Sequence, residues 1–222
     1  MIELRNLTKR FIMRGQEKIA IDDVSAIFPS GVAVGLLGRN GAGKSTLLKM
    51  ISGAMDPTSG EILTTGAISW PVGFAGSFHP DMTGIQNTRF VARIYGVDTD
   101  QLVDFVYDFS ELGRQFNMPV RSYSSGMRSR LAFGISMGVP FDTYLVDEVT
   151  AVGDQAFRDK SNQVFQARLE HAGAIMVSHS IGMLRDNCQA GAVLERGQME
   201  FYDDINDAID VHLENMRKVR PD

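Results

Sequence analysis

Cysteine is nearly missing: Cys188 is the only one among 222 residues, so no internal disulfide is possible and a reducing, cytosolic compartment is expected. An excess of positive charge is missing too. Lysine and arginine number 22 against 27 aspartates and glutamates, a formal net charge of −5, which gives no electrostatic footprint for a phosphodiester backbone and argues against direct nucleic-acid binding. There is no long apolar run. The longest uncharged stretch, Ile62 to Pro80, carries three glycines, two prolines and several hydroxyl side chains and cannot serve as a membrane span, so membrane contact is expected through a partner. Met1-Ile-Glu-Leu-Arg5 places charges where a signal peptide needs its apolar segment. No repeat, low-complexity tract or linker sets off a second independent domain. What is there is 44% hydrophobic and 22% charged, the composition of a globular chain able to bury one large core or two small ones.

The local patterns alternate between strand and helix, which means α/β. From Ile2 to about Phe28, short period-two runs broken by the polar Arg14-Gly-Gln-Glu-Lys18 predict antiparallel strands joined by a hairpin turn. Val32 to Gly38 is almost wholly apolar, as a parallel strand covered on both faces should be, and Tyr144-Leu-Val-Asp147 and Ala174-Ile-Met-Val-Ser178 read the same way. Between about Thr83 and Gly138 the period becomes helical, with Leu102, Phe105, Val106, Phe109 and Leu112 on one face. At the C-terminal end Ile205, Ala208, Ile209, His212, Leu213 and Met216 line a last helix, closed by Pro221, whose stripe reads as core packing.

Gly38-Arg-Asn-Gly-Ala-Gly-Lys44-Ser45 fits G-x-x-x-x-G-K-[ST], with Thr46 extending it, between an apolar strand and a helix beginning at Leu47. Gly38, Gly41 and Gly43 let backbone N–H groups around Asn40 turn toward phosphate oxygens, and the helix presents its positive end to them. Lys44 adds a point charge for the β and γ phosphates, and the Ser45 hydroxyl suits Mg²⁺. Asp147 and Glu148 emerge at the C-terminal end of a parallel strand, the edge where α/β sheets bind ligands. Asp147 is expected to hold Mg²⁺, directly or through water, and Glu148 to polarise the water that attacks the γ-phosphorus. His179 ends a third apolar strand and is expected to read the γ-phosphate.

These residues together resemble the nucleotide-binding subunit of ABC transporters. Tyr123-Ser-Ser-Gly-Met127 looks like the family's LSGGQ signature, with Ser124 lying 23 residues before Asp147. The resemblance implies a P-loop NTPase core, a mostly parallel sheet with flanking helices, joined to an antiparallel β subdomain and an ABC-type helical insertion at about 83–138, all within one ATPase domain spanning 1–222. It implies ATP and Mg²⁺ as cofactors. In the family ATP is sandwiched between the P-loop of one subunit and the signature of the other, so Ser124, Ser125 and Gly126 would complete the partner's site in a head-to-tail dimer. Ala151-Val-Gly-Asp154 is similar to the D-loop that crosses that interface, and Phe11 to the aromatic that stacks on adenine, with plain core packing as the alternative for Phe11.

The pattern also departs from the family. Ser125 stands where Gly is usual and Met127 where Gln is usual, and no Gln occupies the position expected between the P-loop and the insertion, since Gln86 comes too late. Trp70-Pro71, Phe78-His-Pro-Asp-Met-Thr-Gly84 and Asn87 look like the ATPases of capsular polysaccharide exporters and, more distantly, those for O-antigen and teichoic acid. The end at Asp222, with no room for an added carbohydrate-binding domain, favours the capsule type. The implied protein is an ATP-driven motor at the cytoplasmic face of the inner membrane, working with two copies of an integral membrane permease that itself contacts the polysaccharide. Methionine and aromatic side chains from Trp70 to Tyr95 are the expected docking surface, with ordinary packing as the alternative. An ABC transporter for another substrate, a non-transport ABC ATPase and a slow regulatory module are the competing readings.

Overall fold

Alternating apolar side chains make the first two strands. In the computed structural model, which describes residues 1–13, 15–73, 76, 78–147 and 154–218, β1 (Ile2–Met13) pairs antiparallel with β2 (Gln16–Phe28). The strands run further toward the turn than the polar composition suggested. Phe11 pairs with Lys18 and Met13 with Gln16, so Gln16, Glu17 and Lys18 belong to the ladder and the connection is two residues long; Arg14 lies outside the described residues. The strict period of two breaks between Leu4 and Leu7, both buried, because the register shifts there. Asn6 takes φ 46° and the facing Asp23 φ 51°, and the Asn6 amide donates to the Asp23 carboxylate at 3.0 Å. These paired bulges return Leu7 to the inner face. β4 (Ser59–Thr64) completes a three-stranded sheet in the order β2-β1-β4.

The second sheet has six strands in the order β5-β6-β7-β3-β8-β9. Its strands β3 (Ala33–Leu37), β5 (Ile68–Pro71), β6 (Thr143–Asp147), β7 (Gly173–Val177) and β8 (Ala190–Glu195) are parallel, and β9 (Gln198–Tyr202) returns antiparallel along β8. All five residues of β3 are buried, as expected of a strand flanked on both sides. One continuous core joins Leu4, Leu7, Ile21, Val24 and Phe28 of the antiparallel sheet to Leu36, Ile175 and Leu194 of the parallel one, through Leu47, Leu48 and Ile51 of helix α1 (Lys44–Ile51).

The chain forms two compact units. Both sheets, α1, α6 (Ile181–Asn187) and α7 (Ile205–Lys218) lie in the unit made of Met1–Pro71, Phe141–Glu148 and His171–Asp222. Here α7 rests on a flat patch. Gly35 and Gly191 are register partners; a side chain on the first would meet Ile205 Cδ1 at 2.7 Å, and one on the second would collide with the Ala208 Cβ. Only the first half of the predicted stripe is therefore buried: Ile205, Ala208 and Ile209 are, whereas Met216 is 44% exposed. Pro221 lies outside the described residues.

The other unit, Val72–Pro140 with Val149–Glu170, is helical. It contains α2 (Gly84–Tyr95), α3 (Thr99–Ser110), α4 (Ser125–Gly138) and α5 (Gln155–Leu169). Phe109 sits at its centre, stacked on Phe133 at 5.7 Å and edge-on to Phe157 at 5.3 Å. The predicted face of α3 is buried at Leu102, Val106 and Phe109, but the helix stops at Ser110, where Glu111 takes φ 56°; Leu112 is buried beyond its end. Among the described residues no helix is long and apolar enough to cross a membrane.

Candidate active site

The C-terminal ends of β6, β7 and β3 are neighbours in the sheet, so Asp147, His179 and the loop after Leu37 share one edge. Between Gly38 and Lys44 the chain turns tightly enough for the Ala42 N–H to donate to the Arg39 carbonyl at 3.1 Å. Helix α1 then starts from Gly43, which holds φ 111°. A side chain at Gly43 would meet the Ala20 carbonyl at 2.6 Å, so both the dihedral and the contact with β2 require glycine. No side chain caps this helix and its first turn carries no acidic residue. Its first N–H groups and its positive dipole end are thus offered to an anion.

A cleft of about 590 Å³ opens at this helix end. The P-loop supplies Asn40, Gly41, Gly43, Lys44, Ser45 and Thr46 to its lining, β2 supplies Lys18 and Ala20, β1 supplies Phe11, and the end of β7 supplies Val177 and His179. The Lys44 ammonium donates to the Gly38 and Arg39 carbonyls at 2.6 and 3.0 Å, which holds the cation at the loop. Gly38 closes the loop against β8, where a side chain at this position would collide with the Leu194 carbonyl. The donor set fits a magnesium triphosphate: a lysine cation, an uncapped helix start, the Ser45 hydroxyl in the lining, and the half-buried Asp147 carboxylate on the next strand but one. Glu148 lies outside the described residues.

Sequence reasoning missed Lys18. Its signal is the hairpin register, which places it directly across from Phe11. A buried group behind the loop was missed as well. His212 of α7 has a buried Nδ1, and Glu195 at the end of β8 a buried Oε2, neither with a hydrogen-bond partner. Burial first, and then the nearby Lys44 cation, hold the His212 pKa below the usual histidine value, with Glu195 opposing them. Spacing alone marks His212 only as a member of a packing stripe.

The signature residues sit in the helical unit. Ser124 caps α4, its hydroxyl accepting from the Met127 N–H at 3.2 Å, and Ser125 and Gly126 form the first turn of the helix. That turn also lacks an acidic residue. Tyr123 is buried just before it, and its hydroxyl donates to the Gln115 carbonyl at 2.7 Å. Asp154 caps α5 by accepting from the Phe157 N–H at 3.0 Å, and pairs with Arg130 of α4 at 3.4 Å. Arg130 also pairs with Glu111 at 3.1 Å and lies 4.2 Å from the Phe157 ring centroid. Lys160 and Arg130 hold the Glu111 carboxyl below its ordinary range, the Lys160 hydrogen bond contributing most. Ala151, Val152 and Gly153 lie outside the described residues.

The stretch between the P-loop and the insertion, where the family places a glutamine, includes Phe74, Ala75 and Ser77, also outside the described residues. Gln86 serves a local purpose. With Thr83 it forms a reciprocal capping box at the start of α2, its side chain accepting from the Thr83 N–H at 2.8 Å. Asn87 is buried and knits the preceding loop, accepting from the His79 N–H and donating to the His79, Met82 and Thr83 carbonyls. Among the described residues from Trp70 to Tyr95 the exposed large apolar side chains are Phe90, Ile94 and Tyr95, while Trp70 packs edge-on against Phe141 at 5.3 Å.

Known proteins resemble this chain in sequence and in fold. A family profile described as ABC transporter matches residues 21–151. The polysialic acid transport ATP-binding protein KpsT of Escherichia coli is 48% identical over 212 residues, covering 94% of this chain and 97% of that protein. The capsule polysaccharide export ATP-binding protein CtrD of Neisseria meningitidis serogroup B is 45% identical over 213 residues, covering 96% of this chain and 98% of that protein. Among solved structures, the dimeric post-hydrolysis state of an ATP-binding cassette bound to ADP and Pi matches with a TM-score of 0.77 at 22% identity, covering 92% of this chain and 99% of that one. The α/β P-loop fold of an ATP-binding cassette is shared with it.

Proposed function

The chain belongs to the ABC transporter family as an ATPase cassette, and from that premise we propose that it is the ATP-hydrolysing motor subunit of a capsular polysaccharide exporter. The observation that carries the motor reading is the uncapped, acid-free start of α1 in a cleft lined by Lys44, Ser45, Thr46 and His179. The substrate class rests on identity of 45–48% along nearly the whole length of two relatives named for polysialic acid transport and capsule polysaccharide export.

Each residue's role follows from its chemistry. The N–H groups of the loop Gly38–Gly43 and of the first α1 turn bind phosphate oxygens, and Phe11 offers a ring to the base. Lys44 neutralises charge on the β and γ phosphates, and His179 orients the γ-phosphate. Ser45 and Asp147 would hold Mg²⁺, whose charge would offset that of the terminal phosphates. Glu148 takes a proton from the attacking water. Ser124, Ser125, Gly126 and Asp154 of a second copy complete the site in a head-to-tail dimer. Work reaches a membrane permease through the helical unit, with exposed Phe90 and Ile94 at the docking surface, and the subunit sits at the cytoplasmic face of the inner membrane through that permease.

Two substitutions in the organism that makes the chain test this reading. Lys44→Ala is expected to abolish ATP binding, and Glu148→Gln to trap nucleotide with little turnover; both should leave polysaccharide inside the cell and none on its surface. Normal surface polysaccharide in the Lys44→Ala strain would remove the exporter assignment.

A further inference from the structure

The ring that faces the cleft is gripped by another side chain. Phe11 lines the cleft, and the Lys9 ammonium lies over its ring at 5.4 Å from the centroid. That distance is within the range at which a cation is attracted to an aromatic face. Lys9 is two residues earlier on β1, so the two side chains leave the strand on the same side. The same ammonium donates to the Asp56 carbonyl at 2.7 Å. Asp56 lies in the loop after α1, and this loop is itself fastened to β1: the Thr58 N–H donates to the Thr8 carbonyl at 2.8 Å, and the Arg10 N–H to the Thr58 hydroxyl at 3.0 Å. The one ammonium therefore contacts both a fixed carbonyl and the ring.

We infer that Lys9 is a positioning residue for nucleobase stacking: its ammonium, pinned by the Asp56 carbonyl, holds the Phe11 ring with a face presented to the cleft. The inference rests on the reading of Phe11 as the adenine platform and adds the residue that sets it. A free aromatic side chain loses rotamer freedom when a base stacks on it. A ring already held loses little, so its pre-ordering strengthens binding by about threefold to tenfold. Only a ligand that carries a base gains from this.

The test compares Mg-ATP with magnesium tripolyphosphate, which has the phosphates and no base, by titration calorimetry on the full chain. Lys9→Met keeps the apolar stem and removes the charge. It is expected to weaken ATP by about threefold to tenfold and leave tripolyphosphate unchanged, while Lys9→Arg, which keeps a cation able to reach the same carbonyl, restores ATP affinity. An equal loss for both ligands, no loss for either, or a Lys9→Arg variant as weak as Lys9→Met overturns the inference. Phe11→Ala separates it from the reading beneath: an unchanged ratio of ATP to tripolyphosphate affinity in Phe11→Ala rejects the adenine platform itself. A changed ratio there with an unchanged one in Lys9→Met rejects only the role of Lys9. Melting temperatures of the variants confirm that each is folded.

Discussion

Replacing Gly43 by alanine probes the joint between the nucleotide loop and the antiparallel sheet. Two costs add. The φ of 111° lies where an L side chain is strained, at about 1–3 kcal/mol. The new Cβ would also stand 2.6 Å from the Ala20 carbonyl oxygen and 3.3 Å from Ile21 Cδ1. Ala20 is a buried residue of β2, at a register shift between the paired Ile19 and Ile21, and Ile21 is fully buried, so neither yields without disturbing the core, at about 1–3 kcal/mol for overpacking of this kind. The sum is roughly 2–6 kcal/mol. At about 2–4 °C per kcal/mol for a chain of this size, the nucleotide-free protein should melt at least about 4 °C below wild type. Differential scanning calorimetry gives the first readout. ATP affinity gives the second, because any relief of the clash must move the start of α1, and with it Lys44, away from the cleft; a loss of about tenfold or more is expected, on the order of one charge-assisted hydrogen bond. A variant melting within about 2 °C of wild type and binding ATP normally would refute the reasoning, since the close approach would then constrain nothing.

Asn87→Ala leaves the His79 N–H and three carbonyls without their side-chain partner, and should lower stability by about 1–3 kcal/mol in a urea titration; an unchanged midpoint would show that the loop before α2 holds without it. Burial pushes the Cys188 thiol up to about 12, from an unperturbed value of 9.0. The unfolded chain therefore loses this proton first as pH rises, so the stability it contributes is intact below pH 9.0 and declines between there and about 12, and a thiol reagent at about pH 8 should react only at the rate of global opening. For His212 the sign is opposite. Its lowered pKa means that the folded state favours the neutral imidazole, giving stability that is complete above the ordinary value of 6.5 and is lost as pH falls below it. His212→Asn should flatten the acid limb of a melting-temperature profile. In the wild type, a polyphosphate at Lys44 should raise the His212 pKa by offsetting that cation, which a histidine titration by NMR would read.

The sequence by itself determined the features whose geometry is local. The P-loop is a run of consecutive residues with a strand before and a helix after, and the phosphate binding proposed for it needs only N–H groups that those residues carry themselves. Ser124 was legible through the likeness of Tyr123–Met127 to the family signature, again a run of consecutive residues, and the cap it makes on α4 needs only the three residues that follow it. Buried strands such as β3 announce themselves by composition. Tertiary structure alone decided what depends on register and packing between distant segments. Lys18 enters the cleft because the β1–β2 register, shifted at three places along the pair, sets it across from Phe11, and Lys9 grips that ring only because the loop after α1 brings the Asp56 carbonyl to it. His212 could be read as a stripe residue from its spacing, yet its exposure to the charge of Lys44 arises because α7 lies across Gly35 and Gly191. Asp154 caps α5 through a residue only three positions on, but its salt bridge to Arg130, 24 residues earlier, follows from no spacing rule. A short motif carries its own backbone geometry, whereas the meeting of remote side chains is fixed by which strands pair, in which register, and where a missing Cβ lets a helix approach.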